Sequence, residues 1–159
     1  MDATSKSKPM QAAVFVPSAR TLRTLYMNIP GFKSDHISVY DVLYHYWNYQ
    51  YKYSFPPIAT LCIETGFSDD KIRKLLRELN KWNLIETRKS DTGANNIYFL
   101  SAPIESESEF YSRFPEALQY RTERIANIEA RTSKPTSKQR KMAAPVQEIA
   151  QKEVLLDWL

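Results

Sequence analysis

Thr65-Gly66-Phe67-Ser68-Asp69-Asp70-Lys71-Ile72-Arg73-Lys74-Leu75-Leu76-Arg77-Glu78-Leu79 is the stretch from which the fold of this chain can be read. Ile72, Leu75, Leu76 and Leu79 recur at i, i+3, i+4 and i+7, the spacing that lays an apolar stripe along one side of a helix. Ser68 offers a hydroxyl at the N-cap, and Asp69 and Asp70 put negative charge at the positive end of the helix dipole. This predicts a helix from Ser68 to about Trp82. Upstream, Pro57 suits the first turn of a helix that runs through Ile58, Leu61 and Cys62 and is ended by Gly66. Two such helices with a glycine-containing turn between them form a helix-turn-helix.

Immediately downstream, Leu84-Ile85-Glu86-Thr87-Arg88 and Asn96-Ile97-Tyr98-Phe99-Leu100 read as strands. They flank a turn-rich stretch, 90–95, around Gly93. A helix-turn-helix followed at once by a two-stranded hairpin predicts an α+β, mainly helical, winged helix-turn-helix. Upstream, Ser34 or Asp35 can cap a helix expected to continue to about Tyr51. Ile37, Tyr40, Tyr44 and Trp47 make one apolar flank of it and Val39, Val42, Leu43 and Tyr46 another, with Asp41, His45, Asn48 and Lys52 on the polar stripe. Ser54-Phe55-Pro56 leaves room for no more than a bridging strand.

The rest divides by composition. Residues 1–11 are polar and read as disordered, and the winged domain with its N-terminal extension is assigned to 12–104, opening on the β-prone run Ala12-Ala13-Val14-Phe15-Val16. A C-terminal helical segment, 105–131, starts at a capping box, Ser106-x-x-Glu109, and is one helix or two broken near Pro115, with Phe110, Tyr111, Phe114, Leu118, Ile125 and Ile128 on its apolar side. A flexible basic linker follows at 132–147. The last segment, 148–159, concentrates Leu155, Leu156, Trp158 and Leu159 at the chain end, the pattern of a linear docking motif or of a tail that folds back on the protein's own domain.

With 159 residues, 43% of them hydrophobic, the chain suffices for one modest core and excludes a large multidomain enzyme. The 22 Lys and Arg against 18 Asp and Glu leave a net charge of +4, a mild bias toward an acidic partner. A single cysteine, Cys62, excludes a disulfide framework and a thiolate cluster and reads as a buried structural thiol. His36 and His45 stand without ligand-type neighbours at metal spacing and read as capping or surface residues, so no metal or other cofactor is expected. With glycine only at 31, 66 and 93 there is no phosphate-cradling loop, and no nucleophile elbow or paired catalytic motif occurs, so no enzyme is expected. No signal-like or membrane-length apolar run is present, which predicts a cytoplasmic protein.

Stepping 100° per residue along the Ser68–Trp82 helix places Asp70, Arg73, Lys74, Arg77 and Lys81 opposite the apolar stripe. On a helix-turn-helix that side enters the major groove of duplex DNA. Arg73 and Arg77 suit bidentate contacts to guanine, and Lys71, Lys74 and Lys81 suit phosphates. Asp69 and Asp70 are explained by capping, with cytosine reading by Asp70 the lesser alternative. Ser68 and Thr60 stand at helix starts where they can cap or donate to phosphate, and Arg88 and Lys89 at the base of the hairpin can reach flanking phosphates or the minor groove. The tyrosines around Trp47 are at core or subunit-interface spacing rather than forming a stacking platform for single strands. A homodimer is expected, with the C-terminal helix packing on its counterpart or on the helix around Trp47.

From Val39 to Leu100 the chain resembles the winged-helix domain of replication initiators and replisome organisers of Gram-positive plasmids and phages. The likeness is carried by Val39-Tyr40-Asp41-Val42-Leu43-Tyr44, Phe55-Pro56-Pro57-Ile58-Ala59-Thr60-Leu61, the 65–79 stretch quoted above, Asn83-Leu84-Ile85-Glu86 and Asn96-Ile97-Tyr98-Phe99-Leu100, with Val16-Pro17 as a lead-in. The resemblance implies a double-stranded DNA-binding protein acting in replication initiation or its control, with a replisome component as partner of the C-terminal segment. A transcriptional regulator that occludes a promoter is the alternative, since the same pattern serves both.

Overall fold

Residues 19–133 are described by a computed structural model. The sequence expectations for 1–18, most of the basic linker and the end segment with Leu155, Leu156, Trp158 and Leu159 fall outside the described residues. The elements in order are α1 (Arg20–Thr24), a 3-10 turn (Tyr26–Asn28), α2 (Ser34–His45), β1 (Trp47–Asn48), β2 (Tyr53–Ser54), α3 (Ile58–Thr65), α4 (Asp69–Lys81), β3 (Ile85–Lys89), β4 (Asn96–Leu100), α5 (Glu107–Arg113) and α6 (Pro115–Thr132). This is a mainly helical α+β winged helix, its antiparallel sheet ordered β1-β2-β4-β3. In the β3–β4 hairpin Thr87 stands opposite Tyr98 and Lys89 opposite Asn96, and Ser54 pairs with Tyr98 to join β2 to the wing.

α2 stops at His45, short of the sequence expectation of about Tyr51. The cause is local. Asn48 accepts the backbone N–H groups of Gln50 and Tyr51 on its side-chain oxygen at 2.9 and 3.0 Å, a turn that competes with helix, and Lys52 takes a positive φ of 61°. The two predicted flanks of α2 also merge. Ile37, Val39, Tyr40 and Leu43 enter one core, while Tyr44 and Tyr46 stay exposed and Trp47 has left the helix for β1.

The core is wider than the 12–104 assignment. Leu22, Tyr26, Ile29 and Phe32 from the N-terminal extension join Leu61, the α4 stripe, Trp82, Leu84 and Tyr98, and α5 and the start of α6 add Phe110, Phe114 and Ala117. Tyr26 is central to this packing. Its ring lies 5.0 Å from that of Phe110 and 6.0 Å from that of Phe114, and its hydroxyl accepts the Ile104 N–H at 3.1 Å. Tyr40 donates its hydroxyl proton to the Ser101 carbonyl at 2.9 Å, so the segment after the wing is tied down at both ends. Burial of each such side chain stabilises the fold by about 1.5–3 kcal/mol. Phe114, placed by the sequence on a dimer surface, is therefore committed to the core.

Two compact units are distinguished, the first ending at Leu118 and the second beginning at Gln119. The expected break at Pro115 is present, α5 being capped by Ser106, which accepts the Glu109 N–H at 3.3 Å. Every described residue of the second unit is exposed, Ile125 and Ile128 among them. Among the described residues no helix is long and apolar enough to cross a membrane.

Candidate nucleic-acid interface

The turn between α3 and α4 is built as its sequence dictates. Gly66 ends α3 at φ +74°, donating its N–H to the Cys62 carbonyl at 2.9 Å, a left-handed cap that glycine adopts without a Cβ penalty. Ser68 then accepts the Lys71 N–H at 3.4 Å as the N-cap of α4. Ile72, Leu75, Leu76 and Leu79 are buried to 5% exposure or less, which fixes the rotation of α4 on the domain and so decides what it shows outward. Cys62, expected to be buried, is half-buried against this core.

The cations of α4 stand in three different situations. Arg77 and Lys81 are exposed and have no ion pair among the described residues, and Lys74 is only loosely related to Glu78 at 4.0 Å. With Asp70 they form the crest opposite the buried stripe. Arg73 sits at one margin, its Nε 3.1 Å from Asp69. It lines a cleft with Ile58 of α3, Arg77 and Asn80 of α4, and Thr87 and Asn96 of the wing. Lys71 sits at the opposite margin, where its ammonium is 2.8 Å from Asp35 of α2 and 3.8 Å from the Phe67 ring centroid. That side chain braces α4 against α2.

On the wing, Arg88 is 2.6 Å from Glu86 and lies over the Phe99 ring at 4.7 Å. Its hydrogen bond holds the Glu86 carboxyl below the usual carboxylate range. Lys89 is exposed without an ion pair among the described residues. It lines a second cleft with Pro57, Ile58, Arg73, Asn95, Asn96 and Tyr98. Thr60 is half-buried in the first turn of α3. Arg73, Arg77 and Lys89 are thus brought to one side of the molecule, while Lys71 faces α2.

Two features were not legible in the sequence. Asn80 clasps the wing to α4: its amide nitrogen donates to the Leu76 carbonyl and the Thr87 hydroxyl, both at 2.8 Å, and its oxygen accepts the Thr87 N–H at 3.0 Å. His36, expected at a cap or on the surface, does cap α2 by accepting the Lys33 N–H on Nδ1 at 2.9 Å, but it is only 2% exposed. With Nδ1 accepting, Nε2 carries the proton it donates to Glu78 of α4 at 2.6 Å. Neither an asparagine bonded to the next element nor a histidine bonded to a distant helix leaves a periodic signal. Among the described residues no group of three or more His, Cys, Asp or Glu is placed to hold a metal ion.

No family model and no curated protein sequence matches the chain. Among solved structures it is similar to one described as the N-terminal domain of a DNA binding protein, with 18% identity and a TM-score of 0.50 over 66% of this chain and 87% of that one. Looser likenesses include a mutant of S. aureus MepR bound to oligodeoxyribonucleotide, at 11% identity and TM-score 0.41 over 85% of this chain and 86% of that one. A MarR-family transcriptional regulator from Silicibacter pomeroyi follows at 15% identity and TM-score 0.36, over 82% of this chain and 75% of that one. At this identity the first of these likenesses bears on the fold alone.

Proposed function

We propose that this protein binds double-stranded DNA sequence-specifically, inserting α4 in the major groove and bringing the β3–β4 wing to the flanking backbone. The observation that carries this is the crest of α4, where Arg77 and Lys81 project without an ion pair among the described residues from a helix whose opposite side is locked in the core. Unpaired exposed cations on a rotationally fixed helix are what phosphates and base edges require. Ser68 is occupied as a cap, and Lys71, Arg73 and Arg88 are held by carboxylates, so they come second to Arg77, Lys74, Lys81 and Lys89. The likeness of residues 39–100 to initiator domains supports an origin as the target and a role in plasmid or phage replication or its control. A repressor that occludes a promoter rests on the same interface, and a DNA-selected consensus matching origin repeats or a promoter separates the two.

A homodimer follows from the need to read two half-sites, with the exposed Leu118, Ile125 and Ile128 as its apolar contact. The end segment with Leu155, Leu156, Trp158 and Leu159 is proposed to dock a replisome protein in the cytoplasm. The test of DNA binding is a salt titration of the purified chain on duplex DNA. Log affinity should fall steeply and linearly with log salt as counterions are released, and an affinity that is weak and indifferent to salt contradicts it.

A further inference from the structure

Tyr40 and Tyr44 near the end of α2, Trp47 of β1 and Leu100 at the end of β4 line a groove of about 380 Å³ together with Ala19 and Pro103. Part of this lining is already committed. The Tyr40 hydroxyl donates to the Ser101 carbonyl at 2.9 Å, and Tyr40 and Leu100 belong to the core or pack against it. The rest is not. Tyr44 is 40% exposed and Trp47 is half-buried, and neither joins the core cluster. Large aromatic side chains left open along a concave surface mark a place where an apolar group docks.

The chain itself leads into this groove. Ala19, the first described residue, is part of the lining and stands in extended backbone, φ −63° and ψ 121°, just before α1. Pro17 fixes its own φ and biases Val16 toward extended backbone, so the approach from residue 16 to residue 19 reads as one extended stretch. It carries the apolar run Val14-Phe15-Val16, and no charged residue occurs between Lys8 and Arg20. Four residues at about 3.3 Å each give Phe15 a reach of about 13 Å from Ala19. The groove is of matching chemistry, since among the described residues that line it Glu105 alone carries a charge. A polar ligand would find few groups there to orient it, and the flat face of a second copy needs about 800 Å² of contact rather than a slot for one or two side chains. An uncharged apolar segment tethered at the rim meets neither obstacle.

We infer that residues 14–16 dock in this groove in cis, with Phe15 as the anchor. The Phe15 ring covers Tyr44 and Trp47 and straps the end of α2 and β1 to the segment that follows the wing. This seat is independent of DNA binding, because none of its residues belongs to the surface formed by α4 and the wing. It extends the part played by the N-terminal extension beyond the buried Leu22, Tyr26, Ile29 and Phe32.

The experiment combines nuclear Overhauser contacts on the full chain with melting temperatures of variants. In the wild type the Phe15 ring should show contacts to Trp47 or Tyr44, and a mixture of isotope-labelled and unlabelled chains should show that they arise within one chain. Phe15→Ala should lower the melting temperature by about 5 °C, and Phe15→Leu should restore most of that loss. In a Tyr44→Ala background the same Phe15→Ala change should cost clearly less, because residues in contact are not additive. Contacts between labelled and unlabelled chains would assign the groove to a second copy, and contacts from Trp158 or Leu159 would assign it to the end segment. Either result overturns the seat. So does the absence of any contact from Phe15 to Trp47 or Tyr44, whatever Phe15→Ala does to the melting temperature.

Discussion

Arg77 is the residue of α4 whose loss should be read most clearly in specificity. Arg77→Ala should cost about 1–3 kcal/mol on the preferred duplex and relax preference at one position, measured by competition between matched and mismatched sites. Gly66 is the corresponding residue for the fold. A Cβ there meets nothing within 4 Å, so the expected cost of Gly66→Ala comes from its φ of +74° alone, about 1–2 kcal/mol by denaturant titration. A neutral result would show that the α3–α4 turn relaxes to another conformation. Charge on α4 was legible in the sequence as a face, but its division among roles was not. Periodicity places Arg73, Lys74, Arg77 and Lys81 on one side, and it is blind to Asp35, which lies on α2 and takes Lys71 at 2.8 Å.

At the scale of elements, those with strong local signals were readable and those defined by distant partners were not. The α4 stripe, the Gly66 stop, the wing strands and the Ser106 cap all declare themselves within a few residues. The end of α2 was missed because Trp47 continues the helical spacing of Ile37, Tyr40 and Tyr44, and the Asn48 turn overrides that spacing. The clasp between α4 and β3 belongs to this scale as well. Asn80→Ala removes its three bonds and leaves the Thr87 N–H without its acceptor, so a destabilisation of about 1–3 kcal/mol is expected. Wing amides should lose hydrogen-exchange protection before those of α2. Equal protection loss in both would make the clasp irrelevant to wing placement.

For the whole molecule, the domain cannot be cut where composition changes. Phe110 is fully buried beside Tyr26, so a chain ending at 104 should fail to show a cooperative melt, whereas one ending at 118 should retain it; Phe110→Ala in the full chain should cost about 3–5 kcal/mol. Tyr26, Tyr40 and Tyr98 impose an alkaline limit on the same core. Burial raises all three hydroxyls, that of Tyr40 to about 12. Their contribution is fully present below the unfolded tyrosine value near 10 and is lost as pH rises through the folded value. Melting temperature should therefore fall between pH 10 and 12 as tyrosinate absorbance appears. The central claim, that the outward side of α4 is the DNA-binding surface, is tested most directly by one measurement: duplex affinity of the combined Arg73→Ala, Lys74→Ala, Arg77→Ala variant, with its melting temperature read alongside. The account predicts a wild-type melting temperature with sequence-specific binding abolished. A folded variant that binds its preferred duplex as wild type does would contradict it.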